Sequence, residues 1–305
     1  MAVASIGNLN FDIYLKIAEI PGPDENIEVL ELYTGGGGSA ANFAVAVARL
    51  RQPVRFIGAV GDDLLGDQSL RELRDEGVDV TYVKRVRGAR SGIVVVLVHL
   101  DGVKRMLSYR GANLGLSPND LTIDKFEGCV HIHLATGRVE IIHKAKEIAK
   151  ELGASVSIDG GTALARKGLD IVKSAVDDVD ILFMNYAEAK TLTGSGDYLS
   201  AIEKLARELL VKELVITLGP DGAVVYSGGK LLHVEAFKLD AVDTTGAGDA
   251  FAAAYVVMSI RGADLYRKLL FANAAAAIKV TRHGARSAPR WEEVTAFLDS
   301  LGYKI

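Results

Sequence analysis

Short apolar runs alternate with helical stretches through most of this 305-residue chain. The apolar runs have the length of single strands and lie at residues 2–7, 54–60, 129–135, 155–159 and 180–184. The stretches with helical patterning lie at residues 39–51, 64–76, 139–152, 166–175 and 198–210. Continuous apolar strands separated by helices are typical of a parallel sheet that is covered on both faces. We therefore predict an α/β fold, in which helices flank a doubly wound, mostly parallel sheet.

Two β-rich regions interrupt this alternation. The first contains a pair of runs joined by Asp101-Gly102, which is a two-residue hairpin signal. Four runs are expected to form a small extra sheet, and they lie at residues 13–17, 27–33, 93–100 and 103–109. We interpret this small sheet as a lid, formed by approximately residues 12–34 and 91–110.

The second region lies in the last third of the chain. Three strands are predicted there, with a Gly228-Gly229 turn between the last two, at residues 214–218, 223–226 and 231–237. Three helices are expected to follow, at residues 246–261, 264–281 and 291–301. No repeat and no Pro-, Ser- or Gly-rich linker divides the sequence, so residues 1–305 are predicted to form a single domain.

Charge and cysteine content restrict the class of function. The chain has 35 Lys and Arg against 39 Asp and Glu. A net charge of −4 gives no electrostatic reason to expect a nucleic acid or an anionic membrane as partner. The single cysteine, Cys129, excludes a Cys-cluster metal site, and the six histidines lack ligand spacing. Neither a signal peptide nor a membrane span is indicated, so we expect a cytoplasmic protein that acts on small molecules.

The stretch Asp243-Thr244-Thr245-Gly246-Ala247-Gly248-Asp249 leads from a polar turn directly into an alanine-rich helix. The first N–H groups of a helix lack intrahelical partners, and the helix dipole adds positive potential there. An anion is therefore expected to bind at Gly246 to Gly248. Asp249 is either a general base for a substrate hydroxyl or an acidic residue that only complements the dipole.

Four consecutive glycines, residues 35–38, precede Ser39 and the predicted helix that contains Asn42. The stretch fits neither the Walker pattern nor the spaced dinucleotide fingerprint. A dehydrogenase is disfavoured separately, because no Gly-x-Gly-x-x-Gly follows the first predicted strand at residues 2–7. The glycines are interpreted as a hinge between lid and core or as a structural turn. The Asn42 amide is positioned to bind a polyhydroxyl ligand.

Two further candidates follow predicted strands, where open parallel sheets place their ligands. Asn185 and Glu188 have the spacing of a helix-capping pair, and a role near phosphate or magnesium-bound water is the alternative. The stretch from Thr217 to Gly222 is a glycine-containing turn, for which a plain β-turn is the simple interpretation.

Residues 37–42 and 243–249 together resemble the two signatures of the ribokinase-like (PfkB-type) carbohydrate kinases. Further landmarks follow in the order of that family over nearly the whole chain, at residues 7–12, 61–63, 111–113, 185–188, 217–219 and 280–285. The resemblance implies the ribokinase-like fold. It also implies that ATP, with Mg²⁺, phosphorylates a hydroxyl of a sugar or sugar-containing small molecule.

The resemblance assigns roles to the matching residues. Asp249 matches the catalytic base, and the anion hole for the transferred phosphoryl group matches Gly246, Ala247 and Gly248. The sugar-binding positions match Asn10, Asp12, Gly37, Gly38 and Asn42. On the nucleotide side, Asn185 and Glu188 match the pair that positions phosphate and magnesium-bound water, so that Glu188 holds Mg²⁺ through water. The remaining nucleotide positions match Thr217, Gly219, Gly222 and Asn273.

Three further implications concern a cation, the lid and the acceptor. Asp243, Thr245 and the carbonyls around Gly284 resemble a monovalent-cation site, which K⁺ occupies in potassium-activated members. The small sheet matches the family's lid, which often forms the interface of a homodimer. Ribokinases proper usually have a lysine at the position of Ser39, and often a glutamate in the stretch that corresponds to residues 136–138.

These departures leave the acceptor open. A sugar, a nucleoside, a 2-keto-3-deoxy sugar acid and a sugar phosphate are all candidates, and a sugar or nucleotide sensor without turnover is the alternative from another class. The intact Asp249 argues against a sensor. Arg105, Arg110 and Arg138 suit an anionic group on the substrate, or they are solvated surface charges.

Overall fold

Fourteen strands and ten α-helices form the described part of the chain, residues 1–304 of a computed structural model. The strands are β1 (Ala2–Gly7), β2 (Asn10–Ile17), β3 (Glu31–Gly37), β4 (Val54–Ile57), β5 (Ala59–Gly61), β6 (Lys84–Val86), β7 (Gly92–His99), β8 (Lys104–Tyr109), β9 (Cys129–Ala135), β10 (Ser155–Asp159), β11 (Val179–Asn185), β12 (Val211–Thr217), β13 (Ala223–Ser227) and β14 (Lys230–Val234). The helices are α1 (Ser39–Arg49), α2 (Leu64–Asp75), α3 (Val139–Leu152), α4 (Gly161–Ala165), α5 (Leu169–Val176), α6 (Tyr186–Thr193), α7 (Tyr198–Glu208), α8 (Ala247–Ile260), α9 (Leu265–Val280) and α10 (Trp291–Ser300).

The main sheet has eight strands in the order β14-β13-β12-β11-β10-β9-β1-β4. The strands from β12 to β4 are parallel, and β13 and β14 continue the sheet as antiparallel strands. One apolar core on α1, α8 and α9 includes Phe43, Tyr255 and Phe271, while the other, on α3, α5 and α7, includes Ile142 and Ile202. The predicted doubly wound, mostly parallel sheet flanked by helices is therefore confirmed.

A separate sheet of four strands has the order β3-β2-β7-β8, and β7 and β8 form the predicted hairpin. The predicted small extra sheet is thus present. The strand predicted at residues 27–33 instead runs from Glu31 to Gly37, and Gly35 to Gly37 pair with Asp12 to Asn10. Glycine has low strand propensity, so in these residues the pairing partner, rather than local propensity, decides the conformation.

Two other predicted elements are divided. Residues 54–60 form β4 in the main sheet and β5, which pairs with β6 in a two-stranded sheet. A Cβ at the intervening Gly58 would lie 2.7 Å from the Gly7 carbonyl oxygen, so the chain is packed too closely there for a side chain. The helix predicted at residues 166–175 begins only at Leu169, after the separate short helix α4. No helix in residues 1–304 combines the length and the apolar character that crossing a bilayer requires.

His131 and His133 are buried on β9. The ring of His131 lies 2.7 Å from the hydroxyls of both Ser155 and Ser157 on the neighbouring strand β10. Burial lowers the pKa of His131 to about 4, which keeps the ring neutral at physiological pH. The two histidines therefore belong to the core of the sheet.

Candidate active site

The loop before α8 brings backbone N–H groups together at the carboxyl edge of the main sheet. Gly246 is the N-cap of α8 and has a φ of +81°, and a Cβ there would lie 2.2 Å from the Ala285 carbonyl oxygen. Only glycine fits this position. The Ala247 N–H donates to the Thr244 carbonyl, which leaves the N–H groups of Gly248 and Asp249 as the free donors of the first turn. These donors and the helix dipole suit an anion.

Asp249 lies in that first turn and is held by α1. The Asn42 amide donates to Oδ2 of Asp249 over 2.8 Å. Burial raises the pKa of Asp249 to about 6, against the opposing effect of the hydrogen bonds from Asn42 and Ser39 and of the charge of Lys279. A carboxylate with a pKa near 6 is mostly ionised at neutral pH and accepts a proton more readily than an exposed aspartate does.

Asp12 lies on β2 and is 5% exposed. Its Oδ1 has no hydrogen-bond partner, and its Oδ2 receives only a long contact of 3.5 Å from the Tyr14 hydroxyl. Burial raises the pKa of Asp12 to about 6, although the Arg286 guanidinium opposes that shift. A buried acceptor without a partner is costly unless a ligand satisfies it. Asp12 is therefore suited to accept a hydrogen bond from a ligand hydroxyl.

The glycine run at the end of β3 is explained by close packing. A Cβ at Gly36 would lie 1.8 Å from Nη1 of Arg286, and a Cβ at Gly37 would lie 2.1 Å from Oδ2 of Asp12. Gly38 has a φ of +91°, and a Cβ there would lie 2.4 Å from the Asn8 carbonyl oxygen. Of the two interpretations left open, these contacts favour the structural turn over the hinge.

Arg286 is a residue that the sequence did not single out. Its Nη2 donates to the Gly37 carbonyl over 2.8 Å, its Nε lies 3.4 Å from Oδ1 of Asn42, and its Nη1 forms an ion pair with Glu72 at 3.2 Å. Arg286 therefore connects the glycine run to the start of α1. The only signal in the sequence is its position just after the 280–285 landmark.

Asn10 occupies a neighbouring position on β2. It accepts a hydrogen bond of 2.9 Å from the Asn113 amide, whose own oxygen accepts from the Leu9 N–H, also over 2.9 Å. A Cβ at Gly92 would lie 2.2 Å from the Asn113 amide nitrogen. The segment after the β7-β8 hairpin is thus tied to the strand that carries Asp12.

Asn185 and Glu188 form a reciprocal capping box at the start of α6. The Asn185 side chain accepts from the Glu188 N–H over 2.9 Å, and Oε2 of Glu188 accepts from the Asn185 N–H over 3.0 Å. Oε1 of Glu188 accepts from the Thr162 hydroxyl over 3.2 Å. Capping is therefore present in the structure, while the magnesium and phosphate role of this pair stays a prediction.

Asp159, at the end of β10, is a second residue that sequence reasoning missed. Burial, with the neighbouring charges of Asp249 and Glu188, raises the pKa of Asp159 to about 7. Three carboxyl groups thus influence one another at the carboxyl edge of the sheet. Its place as the last residue of a predicted strand, where such sheets bind ligands, was the available signal. Within residues 1–304 no group of three or more His, Cys, Asp or Glu is arranged to hold a metal directly.

One cavity opens beside the start of α8, and a second lies at the ends of other strands of the main sheet. The first, which we call the apolar cavity, has a volume of about 420 Å³ and is lined by Thr217, Gly219, Gly222, Phe237, Leu239, Gly248, Phe251 and Asn273. The Asn273 amide donates to the carbonyls of Val234 and Glu235 over 2.9 and 3.1 Å. The structure thus brings the predicted nucleotide-binding turn of Thr217, Gly219 and Gly222 together with Asn273, which was predicted on the adenine side.

The second, which we call the polar cavity, has a volume of about 490 Å³. It lies at the ends of β1, β9 and β10, and it is lined by Asn8, Ser39, Asn113, Thr136, Asp159, Gly160 and Thr162, with Arg110, Arg138, Glu140, Arg166 and Lys167. Of the three arginines considered for anion binding, Arg110 and Arg138 line this cavity, whereas Arg105 is exposed on β8 and does not.

The residues predicted to hold a monovalent cation are paired with two lysines. Nζ of Lys104, on β8, lies 2.6 Å from Oδ1 of Asp243 and 3.0 Å from the Thr245 hydroxyl. The fully buried Lys279 donates to the Asp243 carbonyl over 2.7 Å, and the Gly284 N–H donates to Oδ2 of Asp243 over 2.9 Å. Two ammonium groups thus supply the positive charge at this loop, so the residues present do not fit an additional K⁺.

Known proteins resemble this chain over nearly its whole length. Residues 2–292 match the pfkB family carbohydrate kinase. The ATP-dependent ribose-1-phosphate kinase of Halopiger xanaduensis is 34% identical over 97% of each chain. The structure of Arabidopsis thaliana ribokinase complexed with ribose and ATP superposes with a TM-score of 0.87 at 29% identity, covering 97% of this chain and 98% of that one.

An E. coli structure in complex with ATP and Mg²⁺ has a TM-score of 0.85 at 26% identity, and the match covers 98% of this chain and 99% of that one. The fold and the comparisons define a kinase of the sugar and nucleoside class. The chain belongs to the pfkB family of carbohydrate kinases. The predicted family resemblance is therefore confirmed.

Proposed function

We propose that this kinase uses ATP and Mg²⁺ to phosphorylate a hydroxyl of a sugar or sugar-containing small molecule, with Asp249 as general base. The observation that carries the proposal is the position of Asp249, which is fixed by Asn42 at 2.8 Å at the N-terminus of α8. The apolar cavity begins at Gly248, and the polar cavity includes Ser39, which lies near enough to Asp249 to lower the pKa of that carboxyl. A base between two ligand cavities suits phosphoryl transfer from one ligand to the other.

In the proposed reaction, the acceptor hydroxyl oxygen bonds to the γ-phosphorus of ATP as the bond from that phosphorus to the ADP oxygen breaks. Asp249 takes the hydroxyl proton. The free N–H groups of Gly248 and Asp249 stabilise negative charge on the transferred phosphoryl group. The dipole of α8, whose N-cap is Gly246 and whose first residue is Ala247, adds to this effect. Asp12, Asn10 and Asn42 bind acceptor hydroxyls beside the glycines at positions 37 and 38.

The carboxyl groups of Asp159, Glu188 and Asp249, which we call the acidic edge, suit Mg²⁺ bound through water. Both oxygens of Glu188 already accept hydrogen bonds, and Asp159 has a raised pKa beside it. Mg²⁺ usually keeps several waters and binds through one or two carboxylates and the substrate phosphates. When bound, it neutralises charge on the phosphates of ATP. Glu188, with Asp159 beside it, would hold the hydrated ion next to Asn185, while the apolar cavity takes the adenine.

We infer further that K⁺ is not required, because Lys104 and Lys279 already occupy the charges and carbonyls of the predicted site. We also keep the small sheet as the proposed lid, since Lys104 of that sheet contacts the loop before α8. Closure of this sheet, which itself carries Asp12, toward Asn42 of α1 would exclude water, which protects ATP from hydrolysis.

A homodimer through the small sheet is proposed from its outer face. Residues paired across the sheet share a face, and the face opposite Asp12 is mostly apolar, with Thr34, His99 and Arg105 as its polar side chains. It carries Ile13, Leu15, Leu32, Ile93, Val95, Leu97, Leu107 and Tyr109. Leu32 and Leu107 are 65% and 63% exposed. A contiguous apolar face of this kind suits a second copy of the chain. Leu107→Glu should yield a monomer in light scattering, whereas an unchanged mass would contradict this interface.

The test of the base is ADP release with ATP and Mg²⁺ against sugars, sugar acids, sugar phosphates and nucleosides, comparing wild type with Asp249→Asn. The variant should bind ATP and acceptor with near-normal affinity while kcat falls by about 10²–10⁴. Near-normal kcat in Asp249→Asn would remove the base assignment. Ligand binding by the wild type without ADP release from any compound would favour the sensor instead.

A further inference from the structure

The polar cavity carries more positive charge than its own residues neutralise. Four cationic side chains line it, those of Arg110, Arg138, Arg166 and Lys167. Arg138 pairs with Glu140 at 2.8 Å. Within residues 1–304, no carboxylate forms an ion pair with Arg110, Arg166 or Lys167. Three exposed cations thus line one cavity without a paired carboxylate, and only Lys167 among them acts on a nearby acidic group, Glu140, whose pKa its charge helps to lower.

Asp159, the remaining acidic residue of this cavity, lies near the carboxylates of Asp249 and Glu188, whose charges help to raise its pKa. It therefore belongs to the reacting edge and does not pair with the cations. Like charges that share a cavity repel one another, and an anionic ligand removes that repulsion. The cavity is in this sense prepared for an anion.

Arg138 has a fixed orientation within this group. Its Nε donates to Glu140 over 2.8 Å, and its Nη1 donates to the Leu116 carbonyl over 2.5 Å. Its Nη2 takes part in neither bond. An arginine held in this way presents its remaining donors with little further loss of entropy on binding a ligand.

The chemistry of the cations favours a phosphate over a carboxylate. A phosphate monoester carries a charge of about −1.5 to −2 at pH 7 and offers three strong acceptor oxygens. A carboxylate carries one charge and is already balanced by a single arginine. Three unpaired cations and the free donors of Arg138 match the larger charge and the larger number of acceptors.

The position of the cations separates them from the base-binding end of the nucleotide site. The polar cavity and the apolar cavity share no lining residue, and the cations line only the polar cavity. The polar cavity also contains Ser39, which lies near enough to Asp249 to lower its pKa, and Asn113, whose amide donates to Asn10 of the predicted sugar site. Its volume of about 490 Å³ lies in the range of pockets that hold drug-sized ligands, about 300–1,000 Å³.

We propose that the acceptor is a sugar that already carries a phosphate monoester, and that Arg110, Arg138, Arg166 and Lys167 bind this phosphate in the polar cavity. This inference rests on the proposed kinase function and specifies its acceptor class. The existing phosphate stays intact. A free hydroxyl of the sugar attacks the γ-phosphorus of ATP, its proton passes to Asp249, and the products are a sugar bisphosphate and ADP.

The first test compares kcat/KM for matched pairs of pentoses and hexoses with and without a phosphate, and for sugar acids. The phosphorylated member of at least one pair should be preferred by 100-fold or more, since several charge-assisted hydrogen bonds are gained. Preference for a neutral sugar, a nucleoside or a sugar acid over every sugar phosphate would overturn the proposal while leaving the kinase function in place. Absence of ADP release from every compound would instead be a failure of the proposed function.

The second test assigns the cations. Arg110→Gln, Arg138→Gln, Arg166→Gln and Lys167→Gln should each raise KM for the sugar phosphate by about tenfold or more, with KM for ATP within twofold of wild type. Arg207→Gln, on the exposed surface of α7, is the matched control and should change neither constant. If the four variants raise KM for ATP and leave the acceptor KM unchanged, the cations bind nucleotide phosphates and the proposal is wrong. Inorganic phosphate, used as a probe, should compete with the acceptor and not with ATP.

Discussion

Nζ of Lys104 lies 2.6 Å from Oδ1 of Asp243, and 139 residues separate the two in the sequence. Lys104 begins β8 of the small sheet, whereas Asp243 lies in the loop that leads into α8. Although burial opposes it, hydrogen bonds from Lys104 and Thr245 and the charge of Lys279 hold the pKa of Asp243 well below its usual range. One ion pair therefore connects the proposed lid to the segment that carries Asp249.

The first prediction concerns monovalent cations. Wild-type activity should be equal in K⁺, Na⁺ and tetramethylammonium buffers, because an ammonium group already occupies the position beside Asp243. Lys104→Ala should lose about tenfold or more in kcat, since a hydrogen bond to a charged group is removed. Addition of K⁺ or NH₄⁺ should restore part of that loss. Steady-state kinetics in each salt measure these effects.

Lys16→Ala provides the control for this experiment. Lys16 lies on β2 in the same sheet and pairs at 2.6 Å with Glu31, but the two side chains are 40% and 65% exposed. Its replacement should leave kcat and salt dependence unchanged, because exposed pairs contribute little. Strong stimulation of the wild type by K⁺, or full activity of Lys104→Ala without any added cation, would contradict the prediction.

The second prediction concerns the glycine run. Gly37→Ala places a Cβ within 2.1 and 2.2 Å of the two carboxylate oxygens of Asp12, so Asp12 must move. KM for the acceptor should rise by about tenfold or more, while KM for ATP stays close to wild type. Gly35→Ala is the control, since a Cβ at Gly35 meets no atom within 4 Å. Equal acceptor KM values for the two variants would show that Asp12 does not position the acceptor.

The third prediction concerns pH. Asp249 must be ionised to accept a proton, and its pKa is raised to about 6. The value of kcat should therefore fall by about tenfold for each pH unit below 6 and become level above 7. Asp12→Asn should keep this acid limb, although its acceptor KM should rise. A pH profile of kcat that is flat from pH 5 to pH 8 in the wild type would exclude Asp249 as the base.

Strands and helices with strong local signals could be predicted closely from the sequence. The bounds of β9, β10 and α3 are the same in prediction and structure, because each is a continuous apolar run or a regular helical pattern with clear ends. The strand predicted at residues 27–33 is found instead at Glu31–Gly37, because Gly35 to Gly37 pair with β2, a contact between segments distant in the sequence. Propensity alone does not contain that information.

In the candidate site, too, the features set by local sequence could be predicted, and those set by long-range contacts could not. The turn before Asp249, with its two glycines and the helix that follows, is a local pattern and could be recognised in the sequence. Lys104, Lys279 and Arg286 were missed because each acts on a partner far away in the chain. Lys104 is 139 residues from Asp243, and Arg286 is 249 residues from Gly37. Only the folded arrangement gives these charged residues their partners.

The fourth prediction concerns the stability of the acidic edge and compares two aspartates with opposite shifts. The pKa of Asp159 is raised to about 7, so the folded protein keeps a proton there that the unfolded chain has already released. The stability contributed by Asp159 is therefore present below pH 4 and is lost as pH rises through about 7. Asp243 has a lowered pKa, so its contribution is present above pH 4 and is lost as pH falls further.

Thermal unfolding without nucleotide or divalent metal should therefore separate the two residues. Asp159→Asn should raise Tm at pH 8, by an amount on the order of 1 kcal/mol in unfolding free energy, and should have little effect at pH 4. Asp243→Asn should lower Tm at pH 8, because Lys104 and Lys279 lose the negative charge between them. If Asp159→Asn lowers Tm at pH 8, the three carboxyl groups do not repel one another in the free enzyme. The acidic edge would then need no Mg²⁺ to balance it.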